Sequence, residues 1–197
     1  MAVTNGYIGL EELKTALEIE GDNRDATLER AIGAASRQID RHTERVFYKT
    51  ESETRQYESD CPNLLVVDDL LELTGLETDT DGDLQYEDIW GETDWYLTRE
   101  NPSTPYTSIA TTPLGLYTFP RGKKAIQVTG DWGWEAPPDE VVQATLLLAL
   151  RLFQRKDAPF GIVGSGELGQ MRAVVSMDPD VKSLLAPYRR LDHPNRV

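Results

Sequence analysis

Residues 137–156, PPDEVVQATLLLALRLFQRK, constrain the fold more than any other stretch of this sequence. Two prolines open the stretch, where a missing backbone N–H costs little because it would have had no helical partner. Asp139 and Glu140 then lie at the predicted N-terminus and Arg151 and Arg155 near the C-terminus, as the helix dipole favours. Apolar residues fill nearly every position between these charges, so the sequence predicts a helix that is buried on most sides and centres the core.

The rest of the composition fits one globular chain. Its 197 residues suit one domain, or one domain with a sizeable insertion, and a hydrophobic share of 39% argues against disorder. The N-terminus has no basic leader or apolar run, and the uncharged part of 137–156 is shorter than the ~20 residues of a membrane span, so we expect neither a signal peptide nor a transmembrane helix. The lone Cys61 cannot form an internal disulfide, which is typical of a protein made in a cytosol.

The net charge of −14 belongs to one segment. Residues 51–100 hold 16 acidic and 2 basic residues, whereas the remaining chain holds 18 of each sign. Residues 151–197 lean the other way, with 5 acidic and 8 basic residues. Such a bipolar chain disfavours nonspecific DNA binding by the acidic segment and indicates head-to-tail association or an acidic lining, with a solvated insertion as the alternative.

Three further helices are predicted around the long one. A short first helix carries Leu10, Leu13, Ala16 and Leu17 at helical spacing and ends just before Gly21. A second helix begins at a capping Asp25, ends near Thr43 and packs on the long helix. A final short helix is capped by Asp178 and stopped by Pro187.

Between the second helix and the long helix, the spacing of apolar residues changes from a helical to a strand-like period. Short β-prone runs alternate there with turn residues, which predicts an antiparallel sheet with strands at 55–58, 64–67, 71–74, 84–86, 95–97 and 125–129. The predicted fold class is α+β, a small bundle of about four helices with an antiparallel β insertion between the second helix and the long third helix. We expect a helical core of 1–49 and 135–197, including a basic C-terminal tail, and an acidic β-rich insertion of 50–134.

Trp132 and Trp134 follow the last predicted strand, with Gly133 between them. They lie on the same side if the strand continues. A structural anchor between the sheet and the long helix is the favoured interpretation, and a stacking platform for a sugar or base is the alternative.

Two strings resemble ligand-binding motifs without their context. Gly164–Gly169 matches GxGxxG, but a helix precedes it and the chain ends before a dinucleotide-binding sheet can form, which favours a flexible connector. Asp79, Asp81 and Asp83 alternate like calcium ligands, but the glycine is fourth rather than sixth and the twelfth residue is Trp90, which favours a β-turn in an acidic hairpin. We therefore predict no cofactor and no metal.

Catalytic patterns are sparse. The two histidines, His42 and His193, and the single cysteine show no spacing that suggests a triad or a zinc site. Asp68 and Asp69 point to opposite faces if they lie in a strand, and we assign them to a strand end. An enzyme is therefore disfavoured, and no catalytic residue is predicted.

Strings along nearly the whole chain carry a family resemblance. In order they are YIGLEEL, IDRHTERVFY, VDDL, DTDGDLQYE, DWYL, PY, VTGDWGWEAPPDEVVQATLLLALRLFQRKDAPFG and DPDVKSLLAPYRR. In this order they resemble the head-to-tail adaptor (gp6-like connector) family of long-tailed bacteriophages. The block from the tryptophans to DAPFG and the PYRR ending are the most specific parts.

The resemblance implies a non-enzymatic structural protein of the phage neck. Such adaptors form a dodecameric ring beneath the portal, hold their helical core against it and present the other end to a stopper or tail component. The implied partners are further copies of the chain, the portal protein, the stopper or tail, and passing genomic DNA without sequence-specific binding, with no membrane. The implied location is the virion, with the host cytoplasm during assembly.

Three groups of residues are predicted to serve that role. The portal contact is assigned to Pro187, Tyr188, Arg189, Arg190 and Leu191. A flexible docking loop is assigned to Phe160, Gly161, Gly164, Gly166 and Gly169. An acidic channel or interface lining is assigned to Asp79, Asp81, Asp83, Glu87 and Asp88. Two alternatives stay open, namely another neck or tail component (stopper or tail terminator) with a mainly β core, and a small nucleotide-binding enzyme using Gly164–Gly169.

Overall fold

The structure, a computed structural model, describes residues 4–99, 101–155 and 177–190. The elements in chain order are α1 (Leu10–Leu17), α2 (Asp25–Thr43), β1 (Thr50–Tyr57), β2 (Leu64–Thr78), β3 (Asp88–Ile89), β4 (Trp95–Thr98), β5 (Tyr106–Thr111), β6 (Ile126–Trp132), α3 (Asp139–Gln154) and α4 (Pro179–Leu185), the last followed by a 3₁₀ turn at Ala186–Tyr188. This order confirms the predicted α+β class, with the antiparallel strands between the second and third helices.

The chain divides into two compact units. A helical unit takes in the chain up to Glu44 and the part from Pro137 to Arg190, and a sheet unit is formed by Arg45–Ala136. The sequence-based boundaries, 1–49 with 135–197 and 50–134, stay a prediction about domains. None of the helices in the described part of the chain has the length and hydropathy to cross a bilayer.

Helix α3 buries one face rather than most of its surface. Its buried residues follow a single stripe, namely Val141, Ala144, Thr145, Leu148, Ala149 and Phe153. The leucines between them, Leu146, Leu147, Leu150 and Leu152, are only half-buried. The expectation of burial on most sides was too strong, because an unbroken apolar run shows what a helix can bury and not how many neighbours it has.

Helix α2 packs on α3 through the predicted pattern. Leu28, Ile32, Ala35 and Ile39, spaced three or four residues apart, are fully buried, which places them on one helix face. The predicted cap was wrong by one position, since the N-cap residue is Arg24 and makes no side-chain capping bond. Asp25 lies in the first helical turn, where its carboxylate is 3.1 Å from the Lys14 ammonium.

Gly33→Ala is expected to raise the free energy of unfolding by about 0.5–1 kcal/mol. Gly33 lies inside α2, and an added Cβ would meet nothing within 4 Å, so alanine removes unfolded-state entropy without a clash. Thermal unfolding measures the change, and Ala34→Gly, at the exposed next position, is the matched control with the opposite sign. A loss of stability in Gly33→Ala contradicts the prediction.

The sheet unit is built on one antiparallel sheet in the order β1-β6-β2-β5-β4, with β3 pairing the end of β2. The predicted strands 64–67 and 71–74 are halves of the single strand β2, whose pairing with β5 shifts between Val66 and Leu70. The predicted strand at 84–86 was wrong, because these residues belong to the loop before β3. β5 was missed in the sequence, since its residues, YTSIAT, have weak apolar alternation.

The core of the sheet unit is rich in aromatic side chains. Trp90 stacks on Phe119 with ring centroids 4.8 Å apart, and on Tyr117 at 5.4 Å. Trp132, fully buried, donates its indole N–H to the Glu53 carbonyl over 2.7 Å. Aromatic rings bury large apolar areas, so these contacts account for much of the packing of the sheet.

Trp132 and Trp134 do not share one strand face, because β6 ends at Trp132 and the backbone turns at Gly133, where φ is +93°. Trp134 packs on Phe47, with ring centroids 5.4 Å apart, and donates its indole N–H to Asp69 over 3.0 Å. Both indoles are buried within the sheet unit, so neither ring offers an open face for stacking a base or sugar.

Candidate interaction surfaces

The acidic residues of the sheet unit converge in the loop between β2 and β3. Asp79 organises it, since its carboxylate accepts backbone N–H groups from Asp81 at 3.2 Å, Gly82 at 2.7 Å and Leu84 at 2.7 Å. Aspartate favours such turns because its short side chain reaches the backbone two or three residues on. β2 and β3 pair as the antiparallel strands of a hairpin, but residues 79–87 between them form a longer loop rather than the predicted β-turn.

Four of the five predicted lining residues come together there. Single carboxylate oxygens of Asp79, Asp81, Asp83 and Glu87 all lie within 4.8 Å of one another. Asp79 is buried and the other three are exposed, so the loop presents a compact negative surface. Asp88, the fifth, begins β3 and accepts the Thr80 hydroxyl over 3.2 Å. Hydrogen bonds to the backbone explain this clustering, and we assign no metal to it.

Backbone N–H groups hold the pKa of Asp79 below its ordinary value of 3.8, with Gly82 contributing most, followed by Leu84 and Asp81. A carboxylate with a lowered pKa contributes stability that is present above its unfolded pKa and lost as pH falls through the folded pKa. We expect an NMR titration of the Asp79 carboxyl carbon to give a midpoint below 3.8. In Asp79→Asn, amide exchange at Gly82 and Leu84 should quicken at neutral pH, and a midpoint at or above 3.8 contradicts the account.

Of the predicted portal contact, Pro187 and Tyr188 lie in the 3₁₀ turn after α4, and Arg189 and Arg190 follow it. The Tyr188 hydroxyl donates to Glu140 at the start of α3 over 2.7 Å, and the backbone N–H of Arg190 donates to the Thr43 carbonyl at the end of α2 over 2.9 Å. Arg190 is buried, whereas Pro187 and Arg189 are exposed. Leu191 lies outside the described residues. Within the helical unit this segment is therefore docked, and Pro187 and Arg189 are its accessible members.

The pKa values of Tyr188 and His42 keep both side chains uncharged at neutral pH. Burial and Glu140 raise the pKa of Tyr188 to about 12, so its hydroxyl remains a donor. Burial first, then the charges of Arg189 and Lys182, lower the pKa of His42. His42 therefore stays neutral, and the local positive charge comes from Arg189 and Lys182.

The predicted docking loop, Phe160, Gly161, Gly164, Gly166 and Gly169, lies outside the described residues. So does the GxGxxG string on which the nucleotide-binding alternative depends. Both therefore stay predictions.

The sequence interpretation missed one surface feature. Leu114 and Leu116, in the loop after β5, are 95% and 86% exposed, the highest values among large apolar side chains in the described part of the chain. The string Pro113-Leu114-Gly115-Leu116 was a usable signal, because turn-forming residues tend to put their neighbours at the surface.

Comparisons with known proteins give a consistent result. Residues 7–69 match the family model of phage gp6-like head-tail connector proteins. No curated protein sequence gives a significant match. This family match covers α1, α2, β1 and the first part of β2.

Solved structures with a similar fold come from gene transfer agent particles. One is a chain in the neck of a native gene transfer agent (GTA) particle computed with C12 symmetry, at a TM-score of 0.56 and 17% identity. Others come from the neck of an empty particle computed with C6 symmetry, at 0.54 and 17%, and from the virion of a native particle, at 0.55 and 18%. Each match covers 100% of this chain and 96% of the other. The match of residues 7–69 confirms that this chain resembles the head-tail connector family, and the solved structures show a shared fold.

Proposed function

We propose that the protein is a head-to-tail adaptor, a structural protein that forms a ring in the phage neck between the portal and the stopper or tail. The match of residues 7–69 to the gp6-like connector family carries this proposal. A shared fold with a chain from a C12 neck supports a twelve-membered ring with a channel for DNA. A stopper or terminator is less well supported, because its expected core is mainly β and the described part of this chain contains four helices.

The basic segment is proposed to contact the portal. Arg189 is exposed, and its guanidinium suits an acidic or hydrogen-bonding partner surface. Tyr188 and Arg190 position the segment by their bonds to Glu140 and Thr43. Their proposed role is to hold Arg189 in place for the portal.

The acidic loop is proposed to border the DNA path. Asp81, Asp83 and Glu87 are exposed, and clustered carboxylates repel the phosphates of DNA. Such a surface allows the genome to pass without sticking. Replacing Asp81 and Asp83 with lysine should make assembled rings retain DNA at low salt and release it at high salt. Acidic loops on the outer rim of the ring contradict this part of the proposal.

Electron microscopy of the full-length protein, alone and mixed with its cognate portal protein, tests the function. Annular particles with a central channel, stacked coaxially on the portal, are expected. Arg189→Glu should weaken portal binding about tenfold or more, as removal of an interface anchor does. Arg30→Glu, a charge reversal at an exposed position of α2, is the matched control and should leave portal binding nearly unchanged. A protein that forms no ring under either condition contradicts the proposal.

A further inference from the structure

Residues 113–116, here named the leucine tip, form an apolar projection on the sheet unit. Leu114 and Leu116 are almost fully exposed, whereas large apolar side chains in the rest of the described chain reach at most 68% exposure, at Ile89. Single exposed apolar residues are ordinary, whereas neighbouring exposed leucines form an apolar patch, and such patches favour an interaction site.

Hydrogen bonds join the tip to Asp94, the residue that precedes β4. Buried Asp94 accepts the backbone N–H of Leu116 at its carboxylate over 3.0 Å and that of Thr112 at its carbonyl over 2.9 Å. Gly115 closes the turn by donating to the Thr112 carbonyl over 3.1 Å. A Cβ on Gly115 would lie 3.0 Å from the Asp94 carbonyl oxygen, so the backbones are in close contact. The exposure of the leucines is therefore built into the fold.

The other end of β5 borders a pocket of about 250 Å³. Its apolar lining comes from Leu70, Leu71, Pro102, Pro105, Tyr106 and Trp134. Small-molecule sites usually enclose ~300–1,000 Å³, so this pocket suits one or two apolar side chains better than a cofactor. Its rim carries Arg99, whose guanidinium lies 5.0 Å from the centre of the Tyr106 ring.

The tip and the pocket are separated by the length of one strand. The tip follows Thr111 and the pocket surrounds Tyr106, the last and first residues of β5, which puts them roughly 17 Å apart at 3.4 Å per residue. Two different patches on one chain that fit each other produce head-to-tail contacts, and these close into a ring when the rotation permits.

We infer that the leucine tip of one copy inserts into the pocket of the neighbouring copy, and that this contact joins subunits in the ring. The inference rests on the proposed function, because it specifies the subunit contact of that ring. Leu114 and Leu116 would lose their contact with water in the pocket, and Arg99 at the rim would remain solvated.

Cysteine cross-linking tests the contact in the full-length protein. Leu116→Cys and Ser103→Cys, on the tip and in the exposed pocket rim, are combined in a Cys61→Ser background. Under oxidation of assembled rings, the double variant should give a ladder of covalent multimers, and each single variant should stay uncross-linked. A ring that gives no ladder, or a Leu116→Cys single variant that dimerises, overturns the inference and leaves the proposed function standing. Wild-type protein that never forms a ring overturns both.

A second measurement uses Leu114→Ser combined with Leu116→Ser. Because both side chains are exposed, the melting temperature should stay unchanged, while the concentration for half-assembly rises about tenfold or more. Ile89→Ser, 68% exposed on β3, is the control and should assemble normally. Unchanged assembly of the tip variant overturns the inference. If the tip variant forms intact rings and loses only portal or tail binding, the inference is also overturned, because the leucine tip would then bind the portal or tail and not a neighbouring copy.

Discussion

Asp69→Ala is expected to lower the free energy of unfolding by about 3–5 kcal/mol, the usual cost of removing one partner of a buried ion pair. Asp69 is 4% exposed and pairs with the Arg45 guanidinium, which is itself largely buried. The same carboxylate accepts the indole N–H of Trp134 over 3.0 Å. Its loss leaves the buried Arg45 guanidinium without this counter-ion and removes the hydrogen bond that orients Trp134. Chemical denaturation should measure the loss of unfolding free energy.

The neighbouring aspartate provides the control for this variant. Asp68 is half-buried and accepts from Arg55 at 3.2 Å and from the Tyr57 hydroxyl at 3.1 Å. Since water reaches these groups, Asp68→Ala should cost only about 1–2 kcal/mol. Equal losses of unfolding free energy in Asp69→Ala and Asp68→Ala would show that burial of the carboxylate does not determine the cost of removing it.

Gly133→Ala is expected to destabilise the protein by about 3 kcal/mol or more, and thermal unfolding measures the loss. Gly133 has φ of +93°, a region that costs other residues of the order of 1–3 kcal/mol. An added Cβ would lie 2.0 Å from the Tyr48 carbonyl oxygen, so the backbone has to move as well. The turn at Gly133 directs Trp134 to Phe47, and displacing it disturbs that contact.

Gly75→Ala is the matched control within the same sheet. Its Cβ would lie 3.5 Å from the Thr129 Cβ, an ordinary contact, and its φ is not positive. We expect a change within about 1 kcal/mol and in the stabilising direction, because alanine loses less backbone entropy in a strand than glycine. Wild-type stability in Gly133→Ala would refute the strain argument.

Asp69→Ala and Gly133→Ala should also affect the proposed subunit contact. Trp134 lines the pocket that we assign to the leucine tip, and both Asp69 and Gly133 determine where its indole lies. Variants that retain their fold should therefore show weaker ring assembly, whereas Gly33→Ala in α2 should not. This connects the packing of the sheet unit to its proposed role.

Local chemistry was sufficient to predict the helices. α1 was predicted from the spacing of Leu10 to Leu17 with its end just before Gly21, and it spans Leu10–Leu17. The Asp178 carboxylate accepts the backbone N–H of Asp180, as predicted for an N-cap. Helical contacts form between residues three or four apart, so a short stretch of sequence contains most of the information. The cap of α2 was misplaced because Asp25 also suits the first turn of a helix.

The strands depended on contacts far apart in the sequence. β2 was predicted as two strands because Asp68 and Asp69 interrupt its apolar pattern, yet the structure places them inside one strand, on opposite faces as predicted. β5 has little apolar alternation and is a strand because β2 and β4 pair with it on either side. Strand formation depends on burial and on partners supplied by distant residues.

The sequence by itself determined the helices, the segregation of acidic residues in the sheet unit and the resemblance to head-tail connectors. Only the tertiary structure decided that Asp79 gathers its acidic neighbours around backbone N–H groups, that Trp134 turns away from β6, and that the tip and the pocket lie at opposite ends of β5. Periodicity and charge are properties of neighbouring residues, whereas a pocket is formed by residues as far apart as Leu70 and Trp134. Such residues meet only after the sheet has formed, since strand pairing fixes their relative positions.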